Sequence, residues 1–442
     1  MRIVSGAEEG RRTLLRRTPL QEAELPPEVW QRTRDAVGDV STLEEAVRRI
    51  LRDVREQGDA AVLRYGRAFD GAKYETLRVP QEEIHAAYDE VDPAVIEALR
   101  FAAERIRAFH EEQRKHVMRS FQRDGVGVQV RALARVGVYM PGATVAYPSS
   151  VLMTALPARV AGVGEVLIAS PAGRDGRVPA VKLVAADIAG VDALFRMSGA
   201  QAIAAFAYGT ESVPRVDEVC GPGNIFVTLA KRAVFGDVGI DALYGPSETI
   251  VIADDEANPV LCAADLLAQA EHDELATPIL ITPSAQLAER VGEEVERQLV
   301  ELERQQIART AFEAHGGAVV VGSLDEAIEL ANEFAPEHLC LLVRNAAEWV
   351  AKVRNAGGVF VGEMSPETLG DYTAGPSHVM PTAGTARFAS PLGVQSFLKV
   401  TSIVAVDEAT LRALGPATVR IARAEGFTAH ARSVELRLEN GE

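Results

Sequence analysis

The chain has 442 residues, which at about 150 residues per domain allows two or three domains, and its 47% hydrophobic and 25% charged residues are typical of globular proteins. A formal net charge of −17 argues against nucleic acid or an anionic membrane surface as a partner. Three widely spaced cysteines without a CxxC pair, no apolar signal segment and no apolar run of about 18 residues predict a cytoplasmic protein without disulfides, cysteine-bound zinc or a membrane span.

The first third of the sequence has the pattern of helices with one charged face. Ser41 and Glu44 form a capping-box pair, which predicts a helix over residues 42–55. Asp92 followed by Pro93 predicts a second helix start, with the helix running toward residue 112. Three histidines in this charged region are expected to be solvated: His85, His110 and His116.

From residue 136 onward, short β-branched runs alternate with helical runs. The first series predicts strands over residues 136–140, 165–169 and 192–197, and helices over 150–160 and 180–189. The second predicts strands over 248–253, 279–282, 318–321, 338–343 and 358–361, and helices over 259–271 and after the Ser323–Glu326 capping pair. This alternation implies parallel sheets covered on both faces, with a hinge at residues 244–247. A last alternating segment predicts a strand over 433–438.

The dinucleotide-binding fingerprint G-x-G-x-x-G is absent from the sequence. Its nearest match is Gly221-Pro222-Gly223-Asn224-Ile225-Phe226, which lacks the third glycine. The motif alone therefore does not indicate a nicotinamide cofactor.

Two polar segments in the second half could hold a metal ion. Gln269 and His272 lie three residues apart at a predicted helix end, so an amide oxygen and an imidazole share one face. Asp371 lies in a loop with glycine and proline that continues to His378, and it could be an anionic ligand. The alternatives are a polar helix end and an ordinary polar loop.

Two Glu/His pairs add further candidates. Glu337 and His338 lie at a helix-to-strand turn, where a carboxylate beside an imidazole suits proton transfer, although a polar turn has the same pattern. Glu425 and His430 could instead belong to a surface helix end. One carboxylate, one amide oxygen and two imidazoles would together suit zinc, or manganese or cobalt in substitution.

Ordered motifs along the chain resemble those of the histidinol dehydrogenase family over residues 40–438. The matching segments are Tyr139-Met140-Pro141-Gly142, Tyr147-Pro148-Ser149-Ser150, Gly199-Ala200-Gln201-Ala202, Cys220-Gly221-Pro222-Gly223-Asn224, Gly245-Pro246-Ser247-Glu248, Gln269-Ala270-Glu271-His272, Pro336-Glu337-His338-Leu339, Gly370-Asp371-Tyr372, His378-Val379-Met380-Pro381-Thr382 and Glu425-Gly426-Phe427-Thr428-Ala429-His430. Each motif is weakly specific by itself, whereas the ordered set is highly specific.

The resemblance implies oxidation of L-histidinol through the aldehyde to L-histidine, the last step of histidine biosynthesis, with two NAD, one water and one zinc ion per subunit. The family's zinc ligands fall on Gln269, His272, Asp371 and His430. Its proton-transfer pair falls on Glu337 and His338. Its substrate contacts fall on Ser247, Gln269, His272, His338, Asp371, Glu425 and His430, with His378 as a further candidate. Its NAD contacts fall on Tyr139, Gln201 and Asn224.

The resemblance also implies an α/β fold with two incomplete Rossmann-like parallel-sheet domains, a helical N-terminal segment and a small C-terminal segment. The expected parts are an arm over 1–40, a first domain over 41–135 and 246–390, an NAD-binding domain over 136–245 and a dimer-contact segment over 391–442. In a homodimer with shared active sites, Glu425 and His430 would enter the neighbouring subunit's pocket.

Three positions depart from the family's pattern: Ala143 replaces a glycine, Tyr244 a small residue and Val400 an arginine. Ala143 and Tyr244 flank the expected cleft, so a relative that oxidises another small alcohol is one rival hypothesis. A zinc hydrolase that activates water with Glu337 is another, but it has no use for the NAD contacts. A metal or nucleotide binder without catalysis is a third, and the Glu337–His338 pair argues against it.

Overall fold

The computed structural model describes residues 1–17, 26–71, 73–142 and 145–439, so Ala143 lies outside the described residues. Contact density divides the chain into two units. The first unit takes residues 1–115 and 133–397, and the second takes 116–132 and 398–442. The domain edges expected from the sequence stay predictions. Within the described ranges, no helix combines the length and the apolar character needed to cross a membrane.

The first third of the chain is helical, as predicted. Its helices are α1 (Ala7–Arg12), α2 (Pro27–Val37), α3 (Leu43–Gln57), α4 (Asp59–Asp70), α5 (Gln81–Ala86) and α6 (Pro93–His116). Helix α6 begins at the predicted proline, and the Asp92 side chain accepts a hydrogen bond from the Ala94 N–H at 2.8 Å. At α3 the predicted Ser41–Glu44 cap is wrong by one residue. Thr42 caps the helix by accepting from the Glu45 N–H at 3.2 Å, because the same three-residue spacing recurs one position later.

The expectation that His110 is solvated is wrong. Its side chain is fully buried, and Nδ1 donates to the Ile106 carbonyl at 2.8 Å. Residues Ile96, Leu99, Ala103 and Ile106 form the buried face of α6, and His110 continues that face one turn further. The charged residues that follow it, Glu111 and Glu112, are exposed.

The first predicted series forms a five-stranded parallel sheet in the order β6-β5-β4-β7-β8. Its strands are β4 (Arg135–Tyr139), β5 (Glu165–Ser170), β6 (Ala193–Arg196), β7 (Glu218–Cys220) and β8 (Gly239–Ile240). The accompanying helices are α7 (Pro148–Ala161), α8 (Ala180–Ala189), α9 (Gly199–Tyr208) and α10 (Ile225–Val234). The last residue of β4 and the loop after β7 therefore meet at the carboxyl edge of this sheet.

The second series forms a six-stranded parallel sheet in the order β1-β11-β10-β9-β12-β13. Its strands are β1 (Ile3–Ser5), β9 (Glu248–Ala253), β10 (Thr277–Thr282), β11 (Gly317–Val320), β12 (His338–Leu342) and β13 (Gly358–Val361). The accompanying helices are α11 (Pro259–Ala270), α12 (Ala285–Leu299), α13 (Gln305–Ala314), α14 (Leu324–Phe334), α15 (Ala346–Trp349) and α16 (Glu367–Tyr372). Every residue of β9 and β12 is buried, as expected for central strands covered on both faces.

The second unit contains an antiparallel sheet in the order β14-β3-β2. Its elements are β2 (Phe121–Arg123), β3 (Val126–Ala132), β14 (Leu398–Val404), α17 (Glu408–Ala424) and α18 (Thr428–Glu439). The strand predicted over 433–438 is wrong, because these residues belong to α18. Val434 and Leu438, four residues apart and so on one helical face, pack beside Gly415 of α17.

Candidate active site

The proposed catalytic residues lie at the amino edge of the six-stranded sheet. His338 is the first residue of β12, and Glu337 directly precedes it. Ser247 directly precedes the neighbouring strand β9, and its carbonyl accepts from the Thr277 N–H at 2.9 Å. Because adjacent parallel strands start at the same edge, residues nearly 90 positions apart in sequence become neighbours, as in the hydrogen bond from the Glu248 N–H to Glu337.

His338 lies between two carboxylates. Its Nδ1 is 3.9 Å from Glu337 Oε2, and its Nε2 is 3.6 Å from Asp371 Oδ1. Both distances allow an ion pair but exceed a hydrogen bond, and neither ring nitrogen is hydrogen-bonded to any described residue. The side chain is only 5% exposed. Two unpaired, buried nitrogens are costly, and such groups often mark a site that a polar ligand completes.

Electrostatics around this imidazole differ from those in water. Burial lowers the pKa of His338, but the carboxylates of Glu367, Asp371 and Glu337 outweigh burial and raise that pKa to about 10. Burial raises the pKa of Glu337 to about 8, against the opposing effect of His338. Burial also acts to raise the pKa of Asp371, but His338, His378 and His272 hold it below its usual value. Asp371 is therefore the group most strongly kept as an anion.

Gln269 occupies the last turn of α11 and is 1% exposed. Both polar ends of its amide find hydrogen-bond partners in only one orientation. In that orientation the nitrogen donates to Glu367 Oε1 and the oxygen accepts from the Glu248 N–H, both at 3.1 Å. The same N–H donates to Glu337 Oε2 at 3.1 Å. One backbone donor therefore links the proposed ligand Gln269 to the proposed base Glu337.

Sequence reasoning missed Glu367. This glutamate is fully buried, and its Oε2 accepts from the Thr249 hydroxyl at 2.7 Å. Burial raises the pKa of Glu367 to about 7, against the opposing effect of His338. A signal was present, since Glu367 precedes Asp371 by four residues on α16 and so lies on the same helical face. The signal was weak because a glutamate in a short helix is usually exposed.

His272 and His378 complete the polar surroundings of Asp371. Burial lowers the pKa of His272, and Asp371 opposes this shift, so the two side chains interact electrostatically. His378 Nδ1 donates to the Asp371 carbonyl at 2.8 Å, and its Nε2 lies 3.0 Å from Ser150 Oγ. With Nδ1 donating, Nε2 accepts from the Ser150 hydroxyl, and burial lowers the pKa of His378 in agreement with a neutral ring. His378 therefore holds the end of α16, where Asp371 lies.

The donor set of the first unit suits zinc. An amide oxygen from Gln269, an imidazole from His272 and a carboxylate from Asp371 form a mixed O/N set without a thiolate. No cluster of three or more His, Cys, Asp or Glu side chains with metal-holding geometry is found within the described ranges. The proposed zinc ligands are not a cluster of that kind, because Gln269 would bind through an amide oxygen and His430 lies in the second unit.

The proposed NAD contacts lie at the carboxyl edge of the five-stranded sheet. Tyr139 ends β4, and its hydroxyl accepts from the Gly199 N–H at 3.1 Å. Gln201 on α9 donates to Ser198 Oγ at 3.0 Å, while its buried Oε1 has no partner in the part of the chain that the structure describes. Asn224 caps α10 and accepts from the N–H groups of the next turn at 3.1 and 3.2 Å.

Glu425 and His430 belong to the second unit, so the structure of the first unit does not bring them to the other site residues. Glu425 follows the last turn of α17, and His430 lies in the first turn of α18. Both side chains are exposed, and the His430 ring lies 5.0 Å from that of Phe427.

Comparisons with known proteins agree with this architecture. A protein-family model described as histidinol dehydrogenase matches residues 33–438. A histidinol dehydrogenase of Moorella thermoacetica is 54% identical over 397 residues, covering 89% of this chain and 94% of that protein. One of Deinococcus radiodurans is 49% identical over 442 residues, covering 99% of this chain and all of that protein. The crystal structure of histidinol dehydrogenase from Elizabethkingia anophelis has a TM-score of 0.89 at 33% identity and covers 100% of this chain and 98% of that one.

The α/β fold and these relatives define the chain as a dehydrogenase, an enzyme of the oxidoreductase class. The chain belongs to the histidinol dehydrogenase family. The resemblance drawn from the sequence motifs is thereby confirmed.

Proposed function

We propose that this chain oxidises L-histidinol through the aldehyde to L-histidine, using two NAD, one water and one zinc ion per subunit. The observation that supports the proposal best is the environment of His338. This imidazole is almost completely buried between Glu337 and Asp371, and neither of its nitrogens is hydrogen-bonded within the described structure. Such an arrangement suits a base that transfers a proton within a bound substrate complex.

In the first step, His338 takes the hydroxyl proton of the alcohol while a hydride leaves the adjacent carbon for the nicotinamide. The products are the aldehyde, NADH and one proton. The surrounding carboxylates stabilise the imidazolium that forms, since they raise the pKa of His338 to about 10 against burial. Zinc, when bound, would anchor the substrate and bring a positive charge that opposes these carboxylates, so that His338 can start the step as a neutral base.

In the second step, Glu337 removes a proton from the water that attacks the aldehyde carbon. The hydrate then gives its hydride to a second NAD, and histidine, NADH and two protons result. Burial raises the pKa of Glu337 to about 8, which makes its carboxylate a stronger base than an exposed one. The hydrogen bond from the Glu248 N–H at 3.1 Å holds one carboxylate oxygen in place.

The remaining contacts follow the family pattern residue by residue. We assign zinc to Gln269, His272 and Asp371 together with His430. Substrate would contact these residues, Ser247, His338 and Glu425, and NAD would contact Tyr139, Gln201 and Asn224. Because Glu425 and His430 are exposed in the second unit, we propose that they complete the site of the partner in a homodimer. The three cysteines are free and buried, which supports function in a reducing cytoplasm.

Counting NADH tests the proposal directly. Purified protein with zinc, NAD and limiting L-histidinol should yield two NADH for each histidinol consumed, because both oxidations occur on one enzyme. A chelator should abolish the reaction, and added zinc should restore it. No NADH from histidinol, with zinc still bound, would contradict the substrate assignment and favour another small alcohol. Tyr244, which departs from the family pattern, would then be the first pocket residue to examine.

A further inference from the structure

We propose that Glu367 is a positioning residue of the metal site, which turns the Gln269 amide so that its oxygen is the atom available to a metal ion. This inference rests on the proposed zinc dependence. It concerns a residue outside the ligand and substrate sets implied by the family resemblance. Glu367 is fully buried and lies beside the site only because α16 places it one turn before Asp371.

The Gln269 side chain ends in two atoms with opposite hydrogen-bonding roles. A glutamine amide has an oxygen that accepts and a nitrogen that donates, whereas a carboxylate only accepts. In the one orientation that pairs both ends of the Gln269 amide, its nitrogen donates to Glu367 Oε1 at 3.1 Å and its oxygen accepts from the Glu248 N–H at 3.1 Å. The reverse orientation would place oxygen against oxygen at one end and two N–H donors against each other at the other.

Orientation matters for metal binding because an amide binds zinc through its oxygen. The Gln269 side chain is 1% exposed, so water cannot easily substitute for a missing partner. The Glu248 N–H by itself orients the Gln269 amide only weakly, because it also donates to Glu337 Oε2 at 3.1 Å. The Glu367 carboxylate, itself held by the Thr249 hydroxyl at 2.7 Å, is thus the principal group that fixes the amide. Residues that orient metal ligands typically change metal affinity by about 10–100-fold when replaced.

The test measures the zinc dissociation constant of the full-length protein by competition with a chromophoric chelator. Glu367→Met removes the acceptor while nearly keeping side-chain length, and it should weaken zinc binding at least about tenfold. Glu367→Gln keeps one oxygen that Gln269 can donate to, so it should recover part of the affinity. Glu363→Met is the matched control, because Glu363 lies four residues earlier, is exposed and accepts from the Asn258 N–H at 2.7 Å.

A double-mutant cycle with Gln269→Ala separates amide orientation from a general charge effect. If Glu367 acts through Gln269, then Glu367→Gln should change zinc affinity little once Gln269 is alanine. Equal loss in both backgrounds, or equal loss in the Gln and Met variants, would overturn the inference. Unchanged affinity in folded Glu367 variants would overturn it too, while wild-type zinc binding and NADH formation would leave the proposed function standing.

Failure of the wild-type protein to bind zinc would instead overturn the proposed function and, with it, this inference. If Glu367→Met does not fold, Glu367→Gln and the cycle still decide the matter, because they need no further variant at position 367.

Discussion

Asp241 and Lys231 bind the N–H and the carbonyl of one residue, Gly221. This glycine begins the loop, residues 221–224, that contains the proposed NAD contact Asn224. The Asp241 carboxylate accepts from the Gly221 N–H at 2.8 Å, and Lys231 Nζ donates to the Gly221 carbonyl at 3.1 Å. The two side chains also form an ion pair, and each is at most 2% exposed. Gly221 has φ +105°, and a Cβ there would lie 2.2 Å from the Tyr139 carbonyl oxygen, so this position requires glycine.

Breaking this pair should loosen the loop that contains Asn224. Lys231→Met leaves the Asp241 charge buried without its partner, so we expect the free energy of unfolding to fall by about 3–5 kcal/mol. The dissociation constant for NAD should rise about tenfold, as measured by fluorescence titration. Arg232→Met, which removes an exposed cation on the same helix, is the control. If NAD binds Lys231→Met as tightly as wild type, the pair does not position the loop.

Tyr244 adds a third group to the same network. Its hydroxyl donates to Asp241 Oδ2 at 2.9 Å, and Lys231 Nζ lies 4.7 Å from its ring centre. Tyr244→Phe should cost about 1.5–3 kcal/mol in urea unfolding, because it removes a hydrogen bond to a charged group. Tyr244→Ala should cost more, since it also leaves a cavity. Equal stability of the Phe variant and wild type would show that the hydroxyl contributes nothing.

Glu218 should make stability depend on pH. Burial and the nearby Asp241 raise the pKa of Glu218 to about 8, against Lys231. Between its ordinary pKa of about 4.5 and this value, the folded protein holds a proton that the unfolded chain has lost, so stability falls as pH rises. The glutamine of Glu218→Gln does not titrate, so this variant does not lose stability in this way as pH rises. Its melting temperature relative to wild type should therefore increase between pH 5 and pH 9 by about 2–4 °C, whereas a constant difference would contradict the raised pKa.

Glu337→Gln should separate the two oxidation steps. The amide can still accept from the Glu248 N–H but cannot take a proton from water. In a single turnover we expect close to one NADH per histidinol, compared with two for wild type. His338→Asn should depress both steps. Equal loss of both steps in Glu337→Gln would count against water activation by Glu337.

Mixing two inactive variants tests whether the sites are shared between subunits. If His430 completes the partner's site, a heterodimer of His338→Asn and His430→Ala chains contains one site with both changes and one with neither. After subunit exchange, activity should approach about 25% of wild type, since about half of the dimers are mixed. Each variant incubated alone under the same conditions is the control. No recovery, with exchange verified by tagged chains, would place His430 in its own subunit's site.

Periodicity predicted most of the parallel-sheet elements, because buried central strands and capped helices have strong local patterns. Strand β9 and the Ser323 cap of α14 agree with the predictions at the residue level. Periodicity failed at α18, because six alternating residues are compatible with a strand as well as with a helix. The helix packs its side chains beside Gly415 of α17, a contact that the local pattern does not contain. Periodicity failed again at His110, whose apolar face was obscured by charged neighbours.

The site was predicted unevenly for a different reason. Family motifs supplied the proposed roles, which stay predictions, whereas the surroundings of those residues depend on contacts between distant segments. Glu367 meets Thr249 and Gln269 across about 100 residues of sequence, so its four-residue spacing from Asp371 could not reveal these contacts. The raised pKa of His338 depends on the same convergence of carboxylates, after burial has acted to lower it.

Strand β1 has a consequence for how the protein is made. Ile3–Ser5 pairs with residues 318–320 of β11, so this strand is synthesised about 300 residues before its partner. At roughly 5–20 residues per second, the newly made β1 waits tens of seconds for that partner. The six-stranded sheet is therefore completed late in translation. A chain without β1 would leave β11 as an unpaired edge strand, to which a second nascent chain can add a strand.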